Sequence, residues 1–281
     1  MSLPSEEKER VRYLVVGLPR SGTTVIHTGI MGHPHVSALT DEMLVLPFFA
    51  KGLASFTYGK EYPEEREHGH RALFDAMTSI FAKEHTVAFG AKCCAQTVGQ
   101  AEVLVESLRE HFPGMKVVLN VRNDLVAQYG SLLSARFNGV WHSWNKGAQE
   151  VKNRRWRLYG PLFDRYALRS LETMRVLRRL HESHEVFECV YEDLLSDPMA
   201  VFESIFKFLG LPAVGVTWLK AQKVKAAPRD YIVNYDRMAQ RLERLRQMHE
   251  RGAVPLHTRA TVRALEAASG FVYRRVLGHG Y

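Results

Sequence analysis

A strand–loop–helix pattern over residues 13–31 constrains this chain more than any other feature. The apolar run Tyr13-Leu14-Val15-Val16 leads into Gly17-Leu18-Pro19-Arg20-Ser21-Gly22-Thr23-Thr24, and a helical pattern runs on from Val25 to Met31. Glycines let the backbone bend so that successive N–H groups converge. The next helix adds unsatisfied N–H groups and a partial positive charge, and together they hold a phosphate-like anion. Gly17 and Gly22 have the spacing of the Walker A loop, yet Thr23 stands where that loop carries its lysine. An NTPase sets that lysine on the β- and γ-phosphates and the next hydroxyl on magnesium. Here the loop's own cation is Arg20.

The rest of the chain repeats the alternation. Short apolar runs at Thr86–Phe89, Val117–Val121 and Val186–Val190 are separated by amphipathic stretches. Val103, Leu104, Leu108 and Phe112 mark one helical face; Phe163, Tyr166, Ala167, Leu171, Met174, Leu177 and Leu180 mark a second. Val201, Phe202, Ile205, Phe208 and Leu209 mark a third helix, capped by Asp197, with Pro198 in its first turn and a stop at Gly210. Strands alternating with helices predict an α/β fold: a P-loop-type three-layer sandwich whose central, mainly parallel sheet is flanked by helices. Ligands of such sheets bind at the carboxyl ends of the strands, which here meet Gly17, Lys92, Arg122 and Tyr191. No repeat or linker divides the 281 residues, so one domain over 1–281 is expected, with 1–10 flexible and 213–281 a C-terminal helical or lid region.

Composition narrows the class. With 46% hydrophobic and 24% charged residues the chain is globular, not disordered. Cys93, Cys94 and Cys189 cannot form a disulfide framework, which favours a reducing compartment, and Cys93 and Cys94 read as packed thiols. The polar start and the lack of a long apolar stretch predict a cytoplasmic protein without a transmembrane segment. The net charge of +8 invites an anionic partner, which leaves nucleic acid, a membrane or a small polyanion.

The loop Pro19-Arg20-Ser21-Gly22-Thr23-Thr24 resembles the 5′-phosphosulfate loop of sulfotransferases that use 3′-phosphoadenosine 5′-phosphosulfate (PAPS). The resemblance runs from about Arg12 to Pro212. It implies a second site, in which Arg122 after its strand and Ser131 in the next helix grip the 3′-phosphate. Asp124-Leu-Val-Ala-Gln…Ser131 with Gly139-Val140-Trp141, and Ile232-x-Asn234-Tyr235-Asp236 further on, are similar to the bacterial carbohydrate branch typified by trehalose and nodulation-factor enzymes. Tyr191-Glu192-Asp193-Leu194…Asp197-Pro198…Phe208-Leu209-Gly210-Leu211 matches a segment common in the family, and Gly90-Ala91-Lys92 sits where relatives carry Gly-x-Lys-Thr-Pro. Relatives of this branch pair through helices, a part that Phe163–Leu180 is expected to be able to play.

The resemblance implies sulfuryl transfer from PAPS to a hydroxyl acceptor, a sugar or glycolipid, without metal and without nucleic acid as partner. Arg20 and Lys92 would stabilise charge. Gly32-His33-Pro34-His35…Asp41-Glu42 is similar to a family region that ends in a glutamate base, which makes Glu42 the candidate base, with Asp41 and His35 as alternatives. His33 and His35 lack partners at ligand spacing, so no metal site is expected. Aromatics in 43–85 and 138–160 (Phe48, Phe49, Phe56, Tyr58, Trp141, Trp144, Trp156) are expected to line the acceptor pocket. Lys146, Lys152, Arg154, Arg155 and Arg157, with Lys220, Lys223, Lys225 and Arg229, read as solvated faces or a lid over the nucleotide. Two other functions compete: a P-loop kinase or NTPase, which Thr23 disfavours, and a non-catalytic polyanion binder, which leaves the paired phosphate motifs unused.

Overall fold

A computed structural model describes residues 10–42, 78, 82–138, 155–215 and 227–252, with backbone alone at 40–42 and 138. The chain divides into two compact units, residues 1–123 with 173–223, and residues 124–172 with 224–281.

In the first unit five parallel strands form one sheet in the order β2-β3-β1-β4-β5. They are β1 (Val11–Gly17), β2 (Val36–Glu42), β3 (Ala88–Cys94), β4 (Lys116–Val121) and β5 (Val186–Val190). The fold is the expected α/β sandwich. Side chains alternate across a strand, so β1 feeds both faces. Tyr13 and Val15 join Ile26, Ile30, Val118, Phe202 and Phe206, with Leu194 of α5 (Tyr191–Ser196), below α1 (Thr23–Met31) and α6 (Pro198–Phe208). Leu14 and Val16 join Phe89, Leu104, Leu108, Leu119 and Leu177 on the face of α2 (Val98–His111). Each such burial contributes roughly 1.5–3 kcal/mol. Gly17 is level with Cys94 and with Asn120, and Val121 with Val190, so the strand ends come together at one edge. There the strand order turns about β1, the position at which open sheets bind ligands.

Caps behave as their chemistry requires. Asp197 accepts from the Ala200 amide at 3.0 Å, Pro198 opens α6, and Gly210 ends the segment at φ 69. Three features differ from the sequence pattern. β2 is an additional strand, hidden because Val36–Glu42 mixes polar with apolar residues. β3 runs on through Lys92, whose charge reads as a strand end but is accommodated within the fold. Val103 is 42% exposed while Ala101 and Val105 are buried, so the apolar face of α2 is rotated from the expected one.

The second unit is helical: α3 (Leu125–Asn138), the larger part of α4 (Gly160–Leu177), α7 (Pro228–Tyr231) and α8 (Tyr235–Glu250). Its core gathers Tyr129, Phe163, Tyr166, Ile232, Met238 and Leu242, with Tyr129 and Tyr166 stacked at 4.7 Å. The Ile232–Asp236 segment has a structural role. Asn234 brackets Leu158 with two 2.9 Å hydrogen bonds, and the Tyr235 hydroxyl donates to Asp124 at 2.8 Å. Phe163, Leu177 and Leu180 are buried in the chain's own cores. Among the described residues no helix is long and apolar enough to cross a membrane.

Candidate active site

The loop between β1 and α1 is closed from inside. The Ser21 amide and hydroxyl both donate to the Leu18 carbonyl, at 3.2 and 2.7 Å. Ser21 is fully buried, and its oxygen also accepts from Asn120 Nδ2 at 2.9 Å. Its hydroxyl thus shapes the loop. Arg20, at φ 64, is the one non-glycine residue with positive φ among the described residues. Gly22 comes next but one, at φ 108, and heads α1. Alternation of this kind turns amides toward a common centre, and the first turn of α1 adds N–H groups with no acceptor in the helix. Gly17 must be glycine for packing: a Cβ there would lie 2.8 Å from Thr23 Cγ2 and 2.9 Å from Ser21 Oγ.

The cation missing from the helix arrives from the sheet. Lys92 is only 4% exposed, and Nζ donates to Thr24 Oγ1 at 3.1 Å. An ammonium taken out of water needs such partners. Thr23 is turned the other way, its Oγ1 3.3 Å from Cys94 Sγ, so Cys94 is a packed thiol beside the loop. Pro19 lies in the turn before Arg20, half-buried.

Arg122 approaches the same loop from β4. Nη1 donates to the Arg20 carbonyl at 2.9 Å, and the guanidinium lies 4.4 Å over the Tyr191 ring. Its Nε is buried with no acceptor among the described residues. Tyr191 also packs on Gly22, where a Cβ would come 2.5 Å from Cδ2. Glu192 accepts from the Asn123 amide at 3.1 Å. Asn120 is a site residue that the sequence pattern does not single out, and Tyr191 one that it places after a strand without giving it a role. Their only signals are a lone amide near the end of an apolar run and an aromatic opening the segment after β5.

Glu42 is the last residue of β2 and stands in register with Lys92 of β3. The side chains of Asp41 and Glu42 lie outside the described residues. His35 precedes β2, with its ring on the His85 carbonyl at 3.2 Å. It precedes Val36, which stands opposite Ala88, and Ala88 lies six residues before Cys94 at the loop edge, on the order of 20 Å along β3. That distance removes His35 from the alternatives for the base. His33 is also spoken for: Nδ1 accepts from the His35 amide at 3.1 Å, and Nε2 meets the Pro212 carbonyl at 3.0 Å. A further buried histidine, His27 on α1, carries no sequence signal of its own. Its pKa is lowered to about 4, chiefly by burial and further by the charge of Lys92, against a raising bond to the Leu39 carbonyl.

Arg20, Ser21, Gly22, Thr23, Thr24, Lys92 and Arg122 therefore all belong to the first unit's sheet edge. Ser131 lies in α3 of the second unit, half-buried. Most of 43–85 and 138–160, and Lys146, Lys152, Arg154, Lys220, Lys223 and Lys225, fall outside the described residues. Arg155 and Arg157 are exposed, and Arg229 pairs with Asp236 at 2.9 Å on the surface. Among the described residues no group of three His, Cys, Asp or Glu is arranged to hold a metal ion.

Solved structures similar to this chain include a sulfotransferase from Alicyclobacillus acidocaldarius, at 14% identity and TM-score 0.45, over 76% of this chain and 87% of that one. The sulfotransferase domain of the Synechococcus PCC 7002 olefin synthase is similar at 18% identity and TM-score 0.41, over 77% and 79%. The sulfotransferase domain of the curacin biosynthetic pathway is similar at 13% and 0.44, over 79% and 81%. No curated protein matches the chain. Residues 13–214 match the model of the sulfotransferase family, a span covering the loop, Lys92, Arg122 and nearly the whole sheet. On that match the chain belongs to the sulfotransferase family.

Proposed function

We propose that this sulfotransferase moves the sulfuryl group of PAPS to a hydroxyl of a sugar or glycolipid, as in the bacterial carbohydrate branch. The observation that carries the reading is the loop: amides turned inward by Arg20 and Gly22, with Lys92 and Arg122 brought to it from the two strands beside β1. The residues fit a nucleotide with anionic groups at both ends, because Arg122 keeps a buried Nε without an acceptor among the described residues beside a loop that collects N–H groups.

PAPS, when bound, supplies the sulfuryl group and leaves as adenosine 3′,5′-bisphosphate. The bond from sulfur to the 5′-phosphate oxygen breaks as the bond to the acceptor oxygen forms. Arg20 and the amides of Gly22, Thr23 and Thr24 receive the charge that grows on the departing phosphate. Lys92, steadied by Thr24, adds a positive charge where the bridging oxygen departs. Glu42 takes the acceptor's proton; a carboxylate does so near neutral pH when its surroundings raise its pKa. Arg122 holds the 3′-phosphate and so fixes the donor's far end, a positioning effect of large entropic value. Ser131 is assigned to the same phosphate on the motif alone. No step in this scheme calls on a metal.

The test is thermal stabilisation by adenosine 3′,5′-bisphosphate without metal against ATP with magnesium. A ligand at a hundred times its Kd stabilises by about 2.7 kcal/mol, and the bisphosphate is expected to give the larger shift. A larger shift with ATP and magnesium would overturn the reading in favour of a kinase or NTPase. Labelled-sulfate transfer from PAPS to a panel of sugars, glycolipids and small alcohols then identifies the acceptor, and transfer to simple alcohols alone would remove the carbohydrate assignment.

A further inference from the structure

β2 and β3 do not keep one register. Val36, Ser37 and Ala38 stand opposite Ala88, Phe89 and Gly90, and pairing resumes at Glu42 opposite Lys92. β2 thus takes four steps, Ala38 to Glu42, where β3 takes two, Gly90 to Lys92. A bulge interrupts the ladder, bends its strand and re-aims the residues beyond it, and such bulges concentrate beside active sites. Inside the irregular stretch, the Leu39 carbonyl meets His27 Nε2 at 2.7 Å. A carbonyl only accepts, so this bond puts the ring proton on Nε2 and leaves Nδ1 a lone-pair nitrogen.

His27 is 1% exposed, and Nδ1 is buried without a partner among the described residues. An unsatisfied buried acceptor is costly, so packing between Ile26 and Ile30 gives no reason for a histidine. The donated bond does. His27 also belongs to α1, one turn after Thr23, so the helix that heads the phosphate loop reaches the strand that ends in Glu42. Its low pKa keeps it neutral, and its burial keeps it from the acceptor.

We propose that His27 is a positioning residue: by holding the Leu39 carbonyl it fixes the bulge that sets Glu42 opposite Lys92, and so sets the base relative to the departing phosphate. This rests on Glu42 being the base.

Three variants separate the bond from the bulk. In His27→Gln the side-chain amide reaches about as far as Nε2 and donates to Leu39. The shorter His27→Asn does not reach, and His27→Leu fills the space with no donor. The readouts are label transferred from PAPS to a pool of mono- and disaccharides and water, the Kd of adenosine 3′,5′-bisphosphate, and hydrogen exchange of the β2 amides. His27→Asn and His27→Leu should lose about 10- to 100-fold in turnover, the scale of a small misplacement of reacting groups. They should keep the bisphosphate Kd within about twofold, while the β2 amides exchange faster and His27→Gln restores turnover. Equal turnover in the Gln and Asn variants overturns the proposal, as does a loss confined to bisphosphate affinity. If His27→Leu fails to fold, the two amides, alike in polarity, still decide. Glu42→Gln is run alongside. Full turnover there strikes the base assignment, whereas a dead Glu42→Gln beside a fully active His27→Asn strikes only the role of His27.

Discussion

The loop after β1 and the end of β2 both serve the same sheet edge, but they are held in different ways. The loop is closed largely by its own residues: Ser21 returns two hydrogen bonds to Leu18, and Gly22 accepts the left-handed turn that starts α1. Asn120, Lys92, Arg122 and Tyr191 then brace it from three other segments. The end of β2 has lost part of its ladder to the bulge and is held there by a bond from His27, a residue of another element. Among the described residues the loop is tied to several other elements, whereas the irregular stretch of β2 meets α1 through the bond between His27 and Leu39.

Four experiments break or sharpen this contrast. The largest effect is expected at the end of β2. Glu42→Gln should lower turnover by about 10²- to 10⁴-fold while leaving bisphosphate affinity unchanged, because the proposed base acts on the acceptor's proton and not on the nucleotide. Single-turnover transfer and calorimetric titration check the two halves, and a loss of bisphosphate affinity would merge what the contrast separates.

Acid comes next. The pKa of His27 is about 4 in the folded chain against 6.5 unperturbed, so the native state binds fewer protons than the unfolded one. Its neutral form favours folding at pH above 6.5, and that stability drains away as pH falls toward 4. At about 1.36 kcal/mol per unit the loss is roughly 3 kcal/mol. Urea midpoints at pH 7 and 4.5 should therefore draw together in His27→Gln, which cannot titrate, and an unchanged gap would place the acid sensitivity elsewhere.

On the loop side, Arg122→Ala should weaken adenosine 3′,5′-bisphosphate binding by about 1.5–3 kcal/mol, the range for a hydrogen bond to a charged group. Titration with adenosine 5′-monophosphate, which lacks the 3′-phosphate, should show a much smaller loss. The smallest change belongs to Tyr191. Its ring lies on Arg122 and covers Gly22, so Tyr191→Leu should cost about 0.5–2 kcal/mol of bisphosphate affinity. Tyr191→Phe, which keeps the ring, should bind like the parent; equal losses in both would make the hydroxyl the group that matters.

Legibility followed the range of the interactions. Gly17, Arg20 and Gly22 were readable because a turn with inward amides needs those residue types at short spacing. The strands β1 and β4 were readable because runs buried on both faces stay largely apolar, and the edge strand β5 because only Glu188 interrupts its apolar run. The caps at Asp197 and Gly210 were readable for the same local reason. β2 was hidden because polar residues punctuate it, and the Leu39 irregularity leaves no mark in composition. Lys92 is visible through resemblance but reads as a strand end, since the hydrogen bond that accommodates its ammonium goes to Thr24, a residue far away along the chain. Tyr191 and Asn120 sit in runs that read as structure, and nothing local tells that their side chains turn to the loop.

By itself, then, the sequence determined the parallel α/β class, the glycine-containing turn at Gly17–Thr24 between strand and helix, and the arginine at the end of β4, because each depends on neighbouring residues and on backbone geometry. Only the tertiary structure decided that a lysine from β3 stands beside the turn, that Tyr191 joins Arg122 to Gly22, that His35 is remote, and that His27 bonds to Leu39 in the irregular stretch of β2. Those contacts mostly join residues tens of positions apart, and no spacing in the chain records which side chains the folded sheet will bring together.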